Sequence, residues 1–330
     1  MDIFLNGYGT QLRKKENRFV IEYDGEMREC ASRDVSQIMF SDAGSITTGA
    51  MKLAAENDVD IVVVSRSGEP VCRIVPCTLS GTPQTRHAQL VCAKGPEGFC
   101  LVTSILRAKL QNMAYLLKAL GHNRNDEKIG GRADQIIRIA EGFPAEGTLS
   151  DASMCLRAME GYGSRIYFEA LAYVLAPELY LGHRSRRPAE DAFNAYLNYG
   201  YGILTNEVSR AVTLAGLDTN MGYFHAERAG KHPFVYDMIE QFRQPVIDRE
   251  IITLAVRGRM KPSDVDQKGY LTSDGRRRAA SAVLHRLNAP VRYRNRETTF
   301  RDEIRDSLKM TARYLRGDGT FTPFVYHWND

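Results

Sequence analysis

The chain has 330 residues, 43% of them hydrophobic and 25% charged, proportions of a soluble globular protein with room for two domains. No apolar run is long enough for a bilayer, the start MDIFLNGYG lacks a basic region followed by an apolar stretch, and six cysteines (Cys30, Cys72, Cys77, Cys92, Cys100, Cys155) form no CxxC pair; neither a membrane span nor an export signal is expected, the cysteine spacing argues against a zinc knuckle or a disulfide framework, and a reducing cytoplasm is expected. The net charge of +4 is uneven, because residues 251–330 carry 16 Lys and Arg against 9 Asp and Glu, a basic tail that suits either a polyanionic partner or a well-solvated helical surface.

In chain order, IFLNGYGTQL, RFVIEYDGEMREC, SQIMF, DIVVVS and PVCRIVP read as short strands divided by Gly, Asp and Asn turns, with Asp-Gly of YDGEM marking a hairpin. An amphipathic helix, TTGAMKLAAEN at 47–57, interrupts them, with Thr47 or Thr48 as its cap. Residues 1–76 are expected to be a small, mostly β domain, and CTLSGTPQTR (77–86) a linker. Beyond it the helical period takes over in LVTSILRAKLQNMAYLLKAL, DQIIRIAEGF, AEDAFNAYLNYGYGILTNEVSRAVTLAG and TTFRDEIRDSLKMTARYL. The expected fold class is therefore α+β, with a larger all-α domain over 87–330.

Three stretches carry candidate chemistry. A helix from Pro233, stopped by Pro245, would put Phe234, Val235, Met238, Ile239 and Phe242 on one face and Asp237 and Glu240 on the other. Taken alone, those carboxylates read as the solvated side of an amphipath. His225, however, precedes a turn short enough to fold its imidazole back onto them, and imidazole with carboxylates suits Mn²⁺ or Mg²⁺. Glu160 is the best further carboxylate, in a helix over 151–176 capped by Ser150 or Asp151, with Gly161, Gly163 and Ser164 beside it to allow close approach of a backbone or ligand. Asn194 and Asn198, one helical turn apart, would brace such a site or join two helices. Arg184, Arg186 and Arg187 form a basic entry before Pro188, and Arg228 and Lys231 another beside His232; phosphate contact or plain solvent exposure would account for each. Arg243, Arg276, Arg277 and Arg278 complete the candidate DNA contacts. His87, His122, His183, His285 and His327 lack acidic neighbours at ligand spacing and read as structural or surface residues.

The blocks E-G-x-x-x-R-x-Y-F (160–168), R-R-P-x-x-D-x-x-N-A-x-L-N-Y-G-Y-G-I-L (186–204), A-G-L-D-x-x-x-G-Y-F-H (215–225) and D-M-I-E-Q-F-R-x-P-V (237–246) resemble, in order and spacing, the CRISPR-associated integrase family Cas1. Ala189 and Ala192 depart from prolines usual in that family and touch only the start of a helix. The resemblance implies a β-rich N-terminal domain used for dimerisation, followed by a helical catalytic domain. It further implies a metal-dependent DNA endonuclease and integrase that joins short DNA fragments into a CRISPR array, as a homodimer with the Cas2 protein. Glu160, His225 and Glu240 then correspond to the ligands of Mg²⁺ or Mn²⁺. Asp237 corresponds to an auxiliary acid that accepts a proton, holds a metal-bound water or helps bind a second ion. The residues by themselves leave open a nuclease that cuts branched or single-stranded DNA without joining, or a non-catalytic DNA-binding scaffold.

Overall fold

The computed structural model describes residues 1–57, 59–66, 68–74, 83–186, 188–225 and 231–328. The first 74 residues supply strands β1 (Asp2–Leu5), β2 (Thr10–Lys15), β3 (Arg18–Tyr23), β4 (Glu26–Ala31), β5 (Gln37–Phe40), β6 (Gly44–Ile46), β7 (Asp60–Val64) and β8 (Pro70–Ile74), with helix α1 (Thr48–Glu56) between β6 and β7. They form two sheets, ordered β1-β5-β7-β8 and β4-β3-β2-β6. Asp24 and Gly25 take the left-handed conformation (φ 51° and 78°), which a tight β3–β4 hairpin requires. The Thr47 hydroxyl accepts from the Ala50 amide and caps α1.

Alternation along β5 and β7 explains how this region joins the rest. Ile38, Phe40 and Ile61 enter the core between the sheets and α1, whereas Met39, Val62 and Val64 enter the core of the helical region. A sheet buried on both faces needs continuous apolar strands, and QIMF and DIVVV are such runs.

The helical region comprises α2 (Pro83–Cys92), α3 (Pro96–Arg124), α4 (Glu127–Glu141), α5 (Leu149–Leu171), α6 (Ala192–Leu214), α7 (Pro233–Ile239), α8 (Arg249–Val256), α9 (Ser273–Asn288) and α10 (Phe300–Leu315). Helix α3 begins with Pro96 at its first turn, ends on left-handed Asn125, and packs against α4 and α5. Helix α6 lies directly on the β7–β8 turn: a Cβ on Gly202 would sit 2.4 Å from the Gly68 carbonyl carbon, so only glycine fits. Arg301, paired with Asp2 (2.7 Å) and Glu207 (3.1 Å), and Arg276, paired with Asp42 (3.2 Å), tie α9 and α10 to the β-rich region.

Several expectations change in detail. Residues 77–82 of the expected linker lie outside the described residues, and Pro83–Arg86 already form the start of α2. The helical domain is not all-α, since β9 (Pro290–Tyr293) and β10 (Arg296–Thr299) form an antiparallel hairpin across the left-handed Arg294 and Asn295. Thr148, rather than Ser150 or Asp151, caps α5 by accepting from the Asp151 amide. Pro245 does not stop the chain's helical course. After α7 the backbone tightens to a 3-10 turn at Glu240–Phe242, widens to a π-helical stretch at Arg243–Asp248, and continues as α8. The wide turn accommodates a proline, which has no N–H to give and whose ring crowds an α-helical carbonyl.

Candidate active site

Four segments meet at the site. Helix α5 brings Glu160, the segment before α7 brings His225, the α7 end and its 3-10 turn bring Asp237 and Glu240, and α3 brings Lys109. Arg157 of α5, three residues before Glu160, donates to the Phe224 carbonyl and stacks 4.4 Å over the Phe224 ring, which holds the His225 segment against α5. Thr219 contributes its carbonyl to the Phe234 amide (3.2 Å), closing the base of the turn.

Asp237 is buried and its oxygens are spent on this segment. Oδ2 accepts from the amides of Tyr223 (2.6 Å) and Phe224 (3.1 Å), and Oδ1 accepts from the His225 amide (2.9 Å) and its Nδ1 (2.7 Å). Both oxygens of the expected auxiliary acid are thus engaged by the His225 segment. The hydrogen bond from Nδ1 to Asp237 sets the orientation of the ring and leaves Nε2 3.9 Å from Glu240 Oε1. The solvated-face reading of Asp237 and Glu240 is also overturned, because both are buried.

Lys109 lies between the two glutamates. Its ammonium pairs with Glu160 Oε1 and lies 2.7 Å from Glu240 Oε2. Arg243 takes the other side of Glu240, with Nη2 3.1 Å from Oε1. The Ser164 hydroxyl donates to Glu160 (2.9 Å). Burial pushes the Glu240 carboxyl up, but Arg243, Lys109 and His225 together outweigh it and hold it down at about 2. Burial likewise raises Glu160, and Lys109 with Ser164 overcomes both burial and the repulsion of Glu240, so its carboxyl stays below the usual range.

A cleft of about 510 Å³ opens above this cluster, lined by Lys109, Glu160, Arg165, Arg184, Arg186, Tyr201 and Arg243 among others. Two arginines stack on the Tyr201 ring, Arg243 at 4.6 Å and Arg184 at 5.5 Å. Tyr201 is held from behind, donating to buried Asp248 (2.6 Å), which Tyr167 also satisfies (2.9 Å). The cleft is thus an anionic floor under a cationic wall, the charge layout for a phosphate backbone.

The model of the family described as CRISPR associated protein Cas1 matches residues 3–284. This chain belongs to the Cas1 family. It is 31% identical to the "CRISPR-associated endonuclease Cas1 1" of Thermus thermophilus, covering 99% of this chain and all of the relative. In fold it is similar to a casposase bound to integration product, with a TM-score of 0.84 at 20% identity over 100% of this chain and 94% of that one. It is likewise similar to the Cas6-RT-Cas1–Cas2 complex, with a TM-score of 0.79 at 16% identity over 100% of this chain and 36% of that one. No helix among the described residues of this family member is long and apolar enough to cross a membrane.

Among the described residues, no three His, Cys, Asp or Glu side chains close on one point as metal ligands do. The glutamates are drawn onto Nζ of Lys109 instead. Two carboxylates and one free imidazole nitrogen nevertheless suit a hard divalent ion. An ammonium already stands between the two carboxylates, and buried Glu240 Oε2 has that ion contact yet no geometrically formed hydrogen bond. The donor set fits.

The candidate DNA contacts divide. Arg184, Arg186 and Arg243 line the cleft. Asn194 and Asn198 hold the first of these: Asn194 Oδ1 accepts from Arg184 (3.0 Å) and Asn198 Oδ1 accepts from it at 2.6 Å, while Asn198 also donates to the Arg186 carbonyl. Arg187 and Arg228 lie outside the described residues, and Lys231 is exposed. The α9 trio is corrected. Arg276 is buried on Asp42, Arg278 pairs with Asp264 and Tyr196, and exposed Arg277 pairs with Asp274 (3.4 Å); none of the three lines the cleft. The basic tail is largely consumed the same way, with Arg286, Arg296, Arg301 and Arg316 all ion-paired. His183, expected to lack an acidic neighbour, pairs with Glu190 (2.8 Å). Sequence reasoning missed Lys109, Arg157 and Arg165. For Lys109 a signal existed: it interrupts the apolar stripe Val102, Ile105, Leu106, Met113 and Leu116 at helical spacing.

Proposed function

We propose that this Cas1 family member is a divalent-metal-dependent DNA endonuclease and integrase of CRISPR adaptation, which joins short DNA fragments by attack of a DNA 3′-hydroxyl on a phosphodiester. The observation that carries the reading is Glu160 in the lining of an arginine-rich cleft, joined through Lys109 to Glu240 and so to His225 Nε2, in a chain with a relative named as an endonuclease. Glu160, Glu240 and His225 Nε2 would hold Mg²⁺ or Mn²⁺. When bound, such an ion supplies Lewis-acid polarisation of the scissile phosphate and stabilises charge on the departing oxygen. Asp237 keeps the imidazole in its ligating tautomer. Arg184 and Arg243, prealigned on Tyr201, neutralise the flanking phosphates, so that little reorganisation accompanies substrate binding. The fold's recurrence in a casposase with an integration product and in a Cas1–Cas2 complex supports DNA and Cas2 as partners. A homodimer through residues 1–76 completes the reading.

The test is a joining assay with a free 3′-end and a supercoiled target in Mn²⁺ or Mg²⁺. Covalent joining that is lost in Glu160→Gln, His225→Ala and Glu240→Gln is expected. Hydrolysis without joining refutes the integrase reading in favour of a nuclease, and no turnover at all refutes catalysis.

A further inference from the structure

We infer that Lys109 is a positioning residue that acts as the resident counter-cation of the site: its ammonium holds Glu160 and Glu240 together in the metal-free protein and is displaced into the cleft when a divalent ion binds. The inference rests on the metal reading above and adds to it a competitor supplied by the chain itself.

The Lys109 side chain is 9% exposed and stands in ion contact with both glutamates, while Arg243 reaches only Glu240. Among the described residues no other cation pairs with Glu160. Without this ammonium, two nearby carboxylates would repel each other, and one of them is almost wholly buried. A divalent ion held by Glu160, Glu240 and His225 would draw on the same two carboxylates that Nζ now contacts. A divalent ion drawn between these two carboxylates meets the ammonium in both space and charge, and the two cations compete for the same acids. Binding is therefore an exchange of cations rather than an addition.

Lys109 also has a way out. It lines the cleft together with Gly161, where a Cβ would find nothing within 4 Å, so the space beside Glu160 is open. A four-carbon stem rotating there carries its charge toward the wall formed by Arg165 and Arg184, where it adds to the field that attracts phosphate. Met113, one turn along α3, lines the same opening.

The experiment uses the full chain. Reductive methylation with isotopic formaldehyde, read by peptide mass spectrometry, reports ammonium accessibility with and without Mg²⁺. Labelling of Lys109 is expected to be slow in chelator and to rise about tenfold with Mg²⁺, while exposed Lys15 does not change. In parallel, Mn²⁺ titration followed by electron paramagnetic resonance is expected to show Lys109→Met binding Mn²⁺ about tenfold more tightly than the wild type, with a lower melting temperature in chelator that Mn²⁺ restores. Lys109 labelling indifferent to Mg²⁺ overturns the exchange, as does Mn²⁺ affinity in Lys109→Met that is equal to or weaker than wild type. If the wild type takes up no Mn²⁺ that His225→Ala loses, the metal reading itself falls and the exchange with it. The labelling arm uses unaltered protein, so it stands even where the variant folds poorly.

Discussion

Replacing Asp237 by Asn is the substitution whose consequence the geometry defines most closely. The carboxylate accepts four hydrogen bonds, two from the Tyr223 and Phe224 amides on one oxygen and two from the His225 amide and ring on the other. An asparagine keeps a single carbonyl oxygen; if its NH₂ faces the Tyr223 and Phe224 amides both of those bonds are lost, and if it faces His225 the amide bond is lost while the ring bond is remade with the NH₂ donating to Nδ1. At about 1.5–3 kcal/mol for each hydrogen bond to a charged acceptor, the loss is about 1.5–6 kcal/mol. That is a large part of the stability of a typical domain. If the amide oxygen stays with Tyr223 and Phe224, the NH₂ faces Nδ1 and drives the ring to the other tautomer, with its proton on Nε2. The nitrogen proposed to ligate then has no lone pair, and metal affinity should fall roughly 10–100-fold. Urea unfolding in chelator measures the first effect and Mn²⁺ titration the second. A variant destabilised by less than about 1 kcal/mol that binds Mn²⁺ as the wild type does would refute the assignment of Asp237 as the holder of His225.

Glu240→Gln tests the electrostatics of the floor. Because the folded carboxyl is depressed to about 2, its contribution is fully present above the ordinary carboxylate range and is lost as pH falls through about 2. The stability difference between wild type and variant in chelator, measured by urea unfolding, should therefore be largest near neutrality and shrink steadily in acid. Arg184→Ala should weaken duplex binding and reduce the slope of log affinity against log salt by about one, whereas Arg277→Ala, outside the cleft, should alter neither in an anisotropy titration. Tyr201→Phe removes a donor from buried Asp248 and should cost about 1–3 kcal/mol in denaturant unfolding. Gly163→Ala drives a Cβ to within 2.7 Å of the Leu110 side chain and should destabilise by roughly 1–3 kcal/mol, while Gly161→Ala, facing open space inside a helix, should stabilise by roughly 0.5–1 kcal/mol in the same assay.

Much of the molecule was legible in its residues because the signals are local. Alternation and Asp-Gly turns specify the strands, the 3.6-residue period specifies the long helices, and the short return from His225 to α7 places an imidazole beside Asp237 and Glu240 through chain connectivity alone. Tertiary packing decided what distance along the chain conceals. Asp237 and Glu240 look solvent-facing in a helix begun at Pro233, and only the Tyr223–His225 segment folded over Asp237 and the approach of α3 to Glu240 turn that face inward. Lys109 reads as a stray polar residue on an apolar stripe until the same packing sets its ammonium between two acids from other segments. Arg276 and Arg278 of α9 resemble DNA contacts in composition, yet their carboxylate partners, Asp42 and Asp264, lie outside the helix, and no property of the arginines themselves announces that they are already paired. Periodicity is written residue by residue, but charge pairing over long range depends on which surfaces the core brings together.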